Sequence, residues 1–361
     1  SSCASARRRS TFCTHHRRPA LLILNPLCQS SGMTIASANL ELTPQKWPTI
    51  QKMAKKGTTS AMYLMGIAYM LGGLVDIDSK KAYFWLGKAA ARGHADAAFR
   101  SGFLLQHNHV QDENLKPRDW YETAAANGSP AAMCALGNEW TYTKVQQQRW
   151  WHRWVGGQDQ SQEAQEAVAQ YEKARQLQYN YAYYFLGIHS LRGWGVPKDK
   201  SKAMAFFEEG ISEKDKDCAL ALALAHPYNS TAYWHRLEQA ADWGNAQAQY
   251  KLAVAFLAKR TKEAGEQAVM WLRKASIQRY PQAMLLLSRT LASNRFGPPD
   301  IPNAYRWARR CIAVKGCKQE WVDRLFAQLT PEEQTLATNE NDADDREFHA
   351  LSQKLFGTAG M

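Results

Sequence analysis

Four arrangements of residues in this chain of 361 have the types and spacing to do chemistry. His107 and His109 flank Asn108, and two imidazoles so close together are half of a zinc ligand set. His15-His16 sits beside Arg17-Arg18, a further pair of ring nitrogens. Glu208-Glu209 has the composition of a carboxylate pair that shares a proton in general acid–base work. The run from Lys144 to Gly157 contains Arg149, Trp150, Trp151, Arg153 and Trp154, where rings and guanidinium groups alternate. Such a run suits either an anchor for a protein partner or a stacking and phosphate-contacting surface for single-stranded nucleic acid.

The catalytic readings weaken when the elements that must position these residues are considered. Adjacent residues on a helix point about 100° apart, so Glu208 and Glu209 do not face one another as a dyad. His107 and His109 fall in a degenerate loop between two helical segments, where an exposed polar loop is the plainer reading than a metal site. The seven cysteines are odd in number and scattered, with no Cys-x-x-Cys pair, so neither a disulfide framework nor a zinc site is expected, and a reducing compartment is. Cys134 and Cys218 are expected at small, buried positions. Phosphate-loop, dinucleotide-binding, zinc-protease and nucleophile-elbow signatures are all lacking from the sequence. The expectation is a non-enzyme with no cofactor and no metal.

Formal net charge is +12, distributed as about +5 in residues 1–48, about +12 in 49–331 and about −5 beyond. That balance favours a partner with an acidic face, most simply a protein or an extended peptide, with nucleic acid as the alternative. Residues 1–40 hold five arginines, many serines and no acid before Glu41. The leader, 1–48, reads either as an organellar transit sequence, implying a mitochondrial matrix protein, or as translated upstream sequence before a start at Met33, implying a bacterial cytoplasmic one. No apolar run approaches the roughly 20 residues that span a bilayer.

Most of the chain is organised by a repeat. Met65 to Gly93 and Leu186 to Gly210 match in kind: a bulky apolar residue and Gly, glycines at a turn, Asp, then Lys-Ala opening a second amphipathic segment. Gly66 to Gly102 is 36 residues, Gly102 to Gly137 is 35, and Ala253 to Ser288 is 35. This predicts an all-α solenoid of about seven helix hairpins over 49–330. Gly66, Gly102, Gly137 and Gly187 are expected to let helix A approach its neighbour closely. Gly72, Gly73, Gly193 and Gly195 end helix A by adopting positive φ, and Asp78 and Asp199 cap helix B. Gly93, Gly128 and Gly244 close helix B.

These units resemble the Sel-one-like repeat family, relatives of the tetratricopeptide repeat, in which an Ala-x-x-x-Leu-Gly helix and a Lys-Ala-x-x-Trp-x-x-Lys-Ala-Ala helix flank a Gly-x-Gly-Val turn and an aspartate. The unit at Leu186 to Gly210 has Ser190 and Phe206 in place of the family's Tyr and Trp. The resemblance covers about residues 58 to 315. It implies a right-handed α/α superhelix whose concave face takes partners, and adaptor or scaffold work of the kind such proteins do in signalling, quality control and host interaction. Several units lack the glycine loop, as at 106–116 and 258–265.

Two segments depart from the repeat. Gly137 to Gly187 spans 50 residues, and the excess, near 141–165, carries the Arg/Trp run. It is read as a lengthened helix folding onto the solenoid, as a protein anchor, or as a nucleic-acid surface. Residues 331–361 are predicted to form an acidic helix or tail, either solvated or folded back on the basic array.

Overall fold

The computed structural model describes residues 42–150 and 159–339, apart from 73 and 315, and leaves out the side chains of 143–150, 336, 338 and 339. Among the described residues there are 17 helices, and the sole β-type pairing is an isolated bridge between Asp159 and Trp194. A short α1 (Trp47–Lys55) leads into seven hairpins. These pair α2 (Thr59–Leu71) with α3 (Ser79–Ala90), α4 (Ala95–Gln106) with α5 (Pro117–Ala126), and α6 (Pro130–Trp150) with α7 (Gln162–Gln176). They continue with α8 (Tyr181–Arg192) and α9 (Lys200–Ser212), α10 (Lys216–Ala225) and α11 (Thr231–Asp242), α12 (Ala246–Ala258) and α13 (Lys262–Ile277), and α14 (Pro281–Leu291) and α15 (Ile301–Ala313). Helices α16 (Gln319–Phe326) and α17 (Pro331–Asn339) follow. Each helix packs more extensively on its hairpin partner than on the next hairpin, so the architecture is the solenoid that the spacing predicts.

The turn leading into each of the seven hairpins is built the same way, the first following α1 and the other six joining hairpins. A residue in left-handed backbone, with φ between 57° and 94°, ends the preceding helix. It is Gly57, Gly93, Gly128 or Gly244 at four turns, and Gln178, Lys214 or Arg279 at three. The following N–H donates to a carbonyl five residues back, as in His94 to Ala89, Ser129 to Ala124 and Asp215 to Gly210, at 2.9 to 3.2 Å. This satisfies carbonyls that the helix end would leave bare. At Gly128 an added Cβ would meet nothing within 4 Å, so only backbone strain opposes a side chain there. Gly128→Val is therefore expected to cost about 1–3 kcal/mol, read as a lower urea midpoint at unchanged denaturant slope.

At the hairpin loops, Gly72 (φ 78°), Gly193 (φ 75°) and Gly195 (φ 69°) take positive φ, and Gly73 lies outside the described residues. Asp78 accepts from the Lys81 N–H at 3.0 Å and Asp199 from that of Lys202 at 2.9 Å. Inside the hairpins, one expectation is refined. The space left by the helix A glycines takes a side chain of helix B, and at Gly66, Gly102 and Gly137 the helix B backbone is also close, 3.0 to 3.2 Å from an added Cβ. A Cβ on Gly66 would lie 2.5 Å from Leu86, on Gly102 2.8 Å from Tyr121, on Gly137 2.7 Å from Tyr171, and on Gly187 2.2 Å from Phe207. Large rings need that room, because helix B contributes one bulky residue per hairpin to the core.

The cysteine expectation is also refined. Cys218 lies five residues before Ala223, in the register of Ala182 before Gly187, and is a small core residue. Cys134 instead shares the register of Tyr63, Phe99 and Tyr184. Both thiols are buried, which raises their pKa and leaves them unreactive.

Candidate functional site: the inner face of the A helices

The third hairpin absorbs the excess length through α6, which has 21 residues against 12 or 13 for α2, α4 and α8. Arg149 and Trp150 are its last two residues. Trp151, Arg153 and Trp154 lie outside the described residues, as do the side chains of Arg149 and Trp150. Beyond them the chain is tied to the next hairpin: Asp159 N–H donates to the Gly193 carbonyl at 2.9 Å, and Gln160 Nε2 donates to the Gly193 and Val196 carbonyls. An added Cβ on Gly195 would sit 2.2 Å from the Ala164 carbonyl oxygen, so this junction requires glycine for contact as well as for φ.

Beneath the junction lies a buried polar cluster. His189 Nδ1 is 2.9 Å from the Trp194 carbonyl and Nε2 is 2.9 Å from the Thr141 hydroxyl. Thr141 is 2.8 Å from the Tyr171 hydroxyl, which donates to Asn138 Oδ1 at 2.9 Å. Because a carbonyl can only accept, Nδ1 carries the imidazole proton, which leaves Nε2 as the acceptor nitrogen facing the Thr141 hydroxyl. Burial pushes the His189 pKa down to about 4, partly opposed by the bond to Trp194. His189 and Tyr171 have no exposed surface and Thr141 has 4 %. A hydroxyl and an imidazole in contact have the composition of a nucleophile and its base, but no substrate reaches them here. The cluster fixes the packing of the third hairpin on the fourth.

Of the other residues with chemical potential, His107 and His109 have ring centroids 6.3 Å apart, with His107 against Phe103. Glu208 pairs with Arg236 of α11 at 3.0 Å and Glu209 lies 3.8 Å from Arg175 of α7, so the two carboxylates serve different contacts. Among the described residues no three His, Cys, Asp or Glu side chains are grouped to hold a metal ion.

A surface feature is more informative. Two A helices, α8 and α10, pack directly on each other across a hairpin, and among the described residues no two B helices do so to the same extent. That contact places the A helices of the fourth and fifth hairpins on one side of the array, here called its inner side. On that side the residue following the small register position is Ile188 in α8, Leu224 in α10, Val254 in α12 and Arg289 in α14. Ile188 is half-buried, Leu224 is 49 % exposed and Val254 is 43 % exposed. Half-buried Ala221 and Leu286 continue the row one turn earlier, and Arg192, Lys251 and Arg289 border it. Tyr142 of α6 is a further exposed ring, at 48 %. Ile188, Ala221 and Leu286 also pack against the core, whereas Leu224 and Val254 are exposed aliphatic side chains at one register, bordered by cations, that the core does not use.

This row was missed in the sequence. Its signal is the alignment of Ile188, Leu224 and Val254 on the residue after each Gly or Ala of the A helix, a register that is buried at Ile67 and Phe103 in the first two hairpins and exposed at Leu224 and Val254.

Comparison with known proteins bears on the architecture. The Sel1 repeat model matches at residues 59–94, 118–129, 180–215 and 246–280. The chain is similar in structure to a Sel1 repeat protein from Oxalobacter formigenes, with a TM-score of 0.53 and 22 % identity over 79 % of this chain and 81 % of that one. It is similar also to yeast Tom70, with a TM-score of 0.52 and 12 % identity over 82 % of this chain and 60 % of that one. In sequence it is 26 % identical over 118 residues to the chitin synthase regulator SKT5 of Saccharomyces cerevisiae, a match spanning 31 % of this chain and 17 % of that protein. Among the described residues no helix is long and apolar enough to cross a membrane. Sel1 repeat proteins are generally scaffolds for protein–protein interaction and typically non-catalytic. The chain carries Sel1 repeats, and its solenoid is the stack of helical hairpins that such repeats form.

Proposed function

We propose that the protein is a non-catalytic scaffold that binds a segment of a partner protein along the inner face of its A helices. The observation that carries this reading is the exposed pair Leu224 and Val254, continued by half-buried Ile188 and rimmed by Arg192, Lys251 and Arg289. An amphipathic or extended segment with apolar side chains on one edge and carboxylates on the other complements it. Burying the exposed half of Leu224 and of Val254 contributes about 0.7–1.5 kcal/mol each. Repetition at about one register per hairpin lets one partner segment engage several hairpins together.

The test is capture of partners from the native source by wild type and by Leu224→Asp with Val254→Asp, after nuclease treatment and at two salt concentrations. Both positions are solvent-facing, so the variant is expected to keep its helicity and melting temperature. A partner that survives nuclease and high salt with wild type and falls at least about tenfold with the variant supports the reading. Partners recovered equally with the variant, or binding abolished by nuclease, would sink it. The latter outcome favours a nucleic-acid factor, whose affinity falls steeply with salt as phosphate counterions are released.

A further inference from the structure

At the first turn of the array a cleft of about 590 Å³ opens between the end of α1 and the outer side of α3. Its walls carry Lys55, Lys56, Lys88 and Arg92, its floor is Met62 and Ala54, and the half-buried ring of Trp85 forms one side. No carboxylate lines it. The reason lies in the local sequence: residues 42–95 contain eight lysines and arginines against Asp76 and Asp78. Asp78 is already engaged as the cap of α3 and by Lys81 at 3.2 Å.

Helix ends account for some of this charge. Lys52 and Lys55 sit in the last turn of α1 and Lys88 in that of α3, where cations complement the exposed carbonyls. Lys56 and Arg92 lie beyond the helix ends. The Arg92 guanidinium reaches back against the turn at Gly57, where an added Cβ would meet Nη1 at 2.6 Å. Gly57 is thus held glycine by its φ of 94° and by that guanidinium together. Lys88 stands over the Phe84 ring at 4.3 Å and the Trp85 ring at 5.4 Å. Among the described residues none of Lys55, Lys56, Lys88 and Arg92 has a carboxylate partner within ion-pair distance.

We propose that this cleft is a binding site for an acidic peptide segment, in which carboxylates meet Lys55, Lys56, Lys88 and Arg92 while an apolar or aromatic side chain lies on Trp85. The proposal rests on the reading that the protein binds a protein partner, and it adds a second point of contact at the N-terminal end of the solenoid. Peptide is favoured over nucleic acid because the floor is aliphatic and there is one half-buried ring, whereas a single-stranded nucleic acid stacks successive bases on several aromatic side chains along a basic track. A charged rim around an apolar floor gives orientation and rate of encounter more than raw affinity. Binding is therefore modest alone and strengthens when the inner face is engaged by the same partner.

The experiment uses the full chain and a fluorescein-labelled peptide, Asp-Glu-Asp-Phe-Glu-Asp, followed by anisotropy at low and high salt, with helicity and melting checked for every variant. Wild type should bind in a salt-sensitive way, Lys88→Glu with Arg92→Glu should weaken binding about tenfold or more, and Lys55→Gln with Lys56→Gln should weaken it severalfold. Leu224→Asp with Val254→Asp should leave it unchanged. Equal affinity in all variants overturns the proposal. So does a uridine-rich RNA of equal charge that binds more tightly than the peptide and is lost with the same charge reversals. If the inner-face variant releases the native partner while the peptide ignores the cleft variants, the cleft assignment fails and the scaffold reading stands. If the peptide follows the cleft variants while the inner-face variant keeps its partners, the cleft stands and the inner-face reading fails.

Discussion

Phe207→Ala is expected to destabilise the chain by about 3–5 kcal/mol, because a fully buried ring is removed and its cavity cannot close around a glycine. The opposite face of that contact is Gly187, whose added Cβ would fall 2.2 Å from the ring. Gly187→Val alone should cost about 1–3 kcal/mol through overpacking. The two losses should not add: with the ring gone, the valine enters vacated space, and the double variant should be more stable than the sum of the singles implies. Because each hairpin leans only on its neighbours, damage at α8 and α9 is also expected to split unfolding into two transitions. Urea titration followed by circular dichroism measures both effects. A loss below about 1 kcal/mol for Phe207→Ala would show that the hairpin is not held at this contact.

Acid should weaken the fold through His189. Its folded pKa is depressed to about 4 while the unfolded value is near 6.5, so the unfolded chain takes up the proton first as pH falls. The contribution is complete above pH 6.5 and is lost between there and about pH 4, at most on the order of 3 kcal/mol. Asp215 works in the other direction. Desolvation, with Asp217 beside it, raises its pKa to about 6, so its protonation favours the folded state as pH falls through that value. The two overlap in pH, and the informative quantity is a difference. Stability of wild type minus that of His189→Gln should fall between pH 6.5 and 4, since the Asp215 contribution cancels. A difference that stays flat over that window would mean that His189 is charged, or reached by water, in the folded protein.

The fold was legible in the sequence because its signals are local and repeated: a small residue at intervals of 35 or 36, as at Gly66, Gly102 and Gly137 and at Ala253 and Ser288, and the cap aspartates Asp78 and Asp199. What stayed hidden depends on three dimensions. Gln178, Lys214 and Arg279 do the work of Gly93, Gly128 and Gly244 at three turns, and nothing in their side chains announces a positive φ. At Gly187 the expected backbone contact is taken by the Phe207 ring, whose reach cannot be read from the glycine alone. The Ile188, Leu224 and Val254 row escaped notice because an apolar residue on an A helix is ordinarily core, and only exposure separates the two cases. The basic cleft combines residues of α1 with residues of α3 more than 30 positions on, joined by a turn whose geometry sequence spacing does not convey. The Arg/Trp run at 149–154, the most conspicuous candidate by composition, remains a proposal for partner contact.

Site-specific photo-crosslinking tests the central claim most directly. A photoreactive phenylalanine analogue is placed at Leu224 on the inner face, and separately at Glu238 and Glu266, which are exposed on helices α11 and α13. After irradiation in the native source, the position at Leu224 should join the chain to one defined protein, with the same partner peptide recovered from a second probe at Val254, while the outer positions give little or none. Cross-links concentrated at Glu238 and Glu266, or nucleic acid in place of protein at Leu224, would contradict a scaffold that works through its inner face.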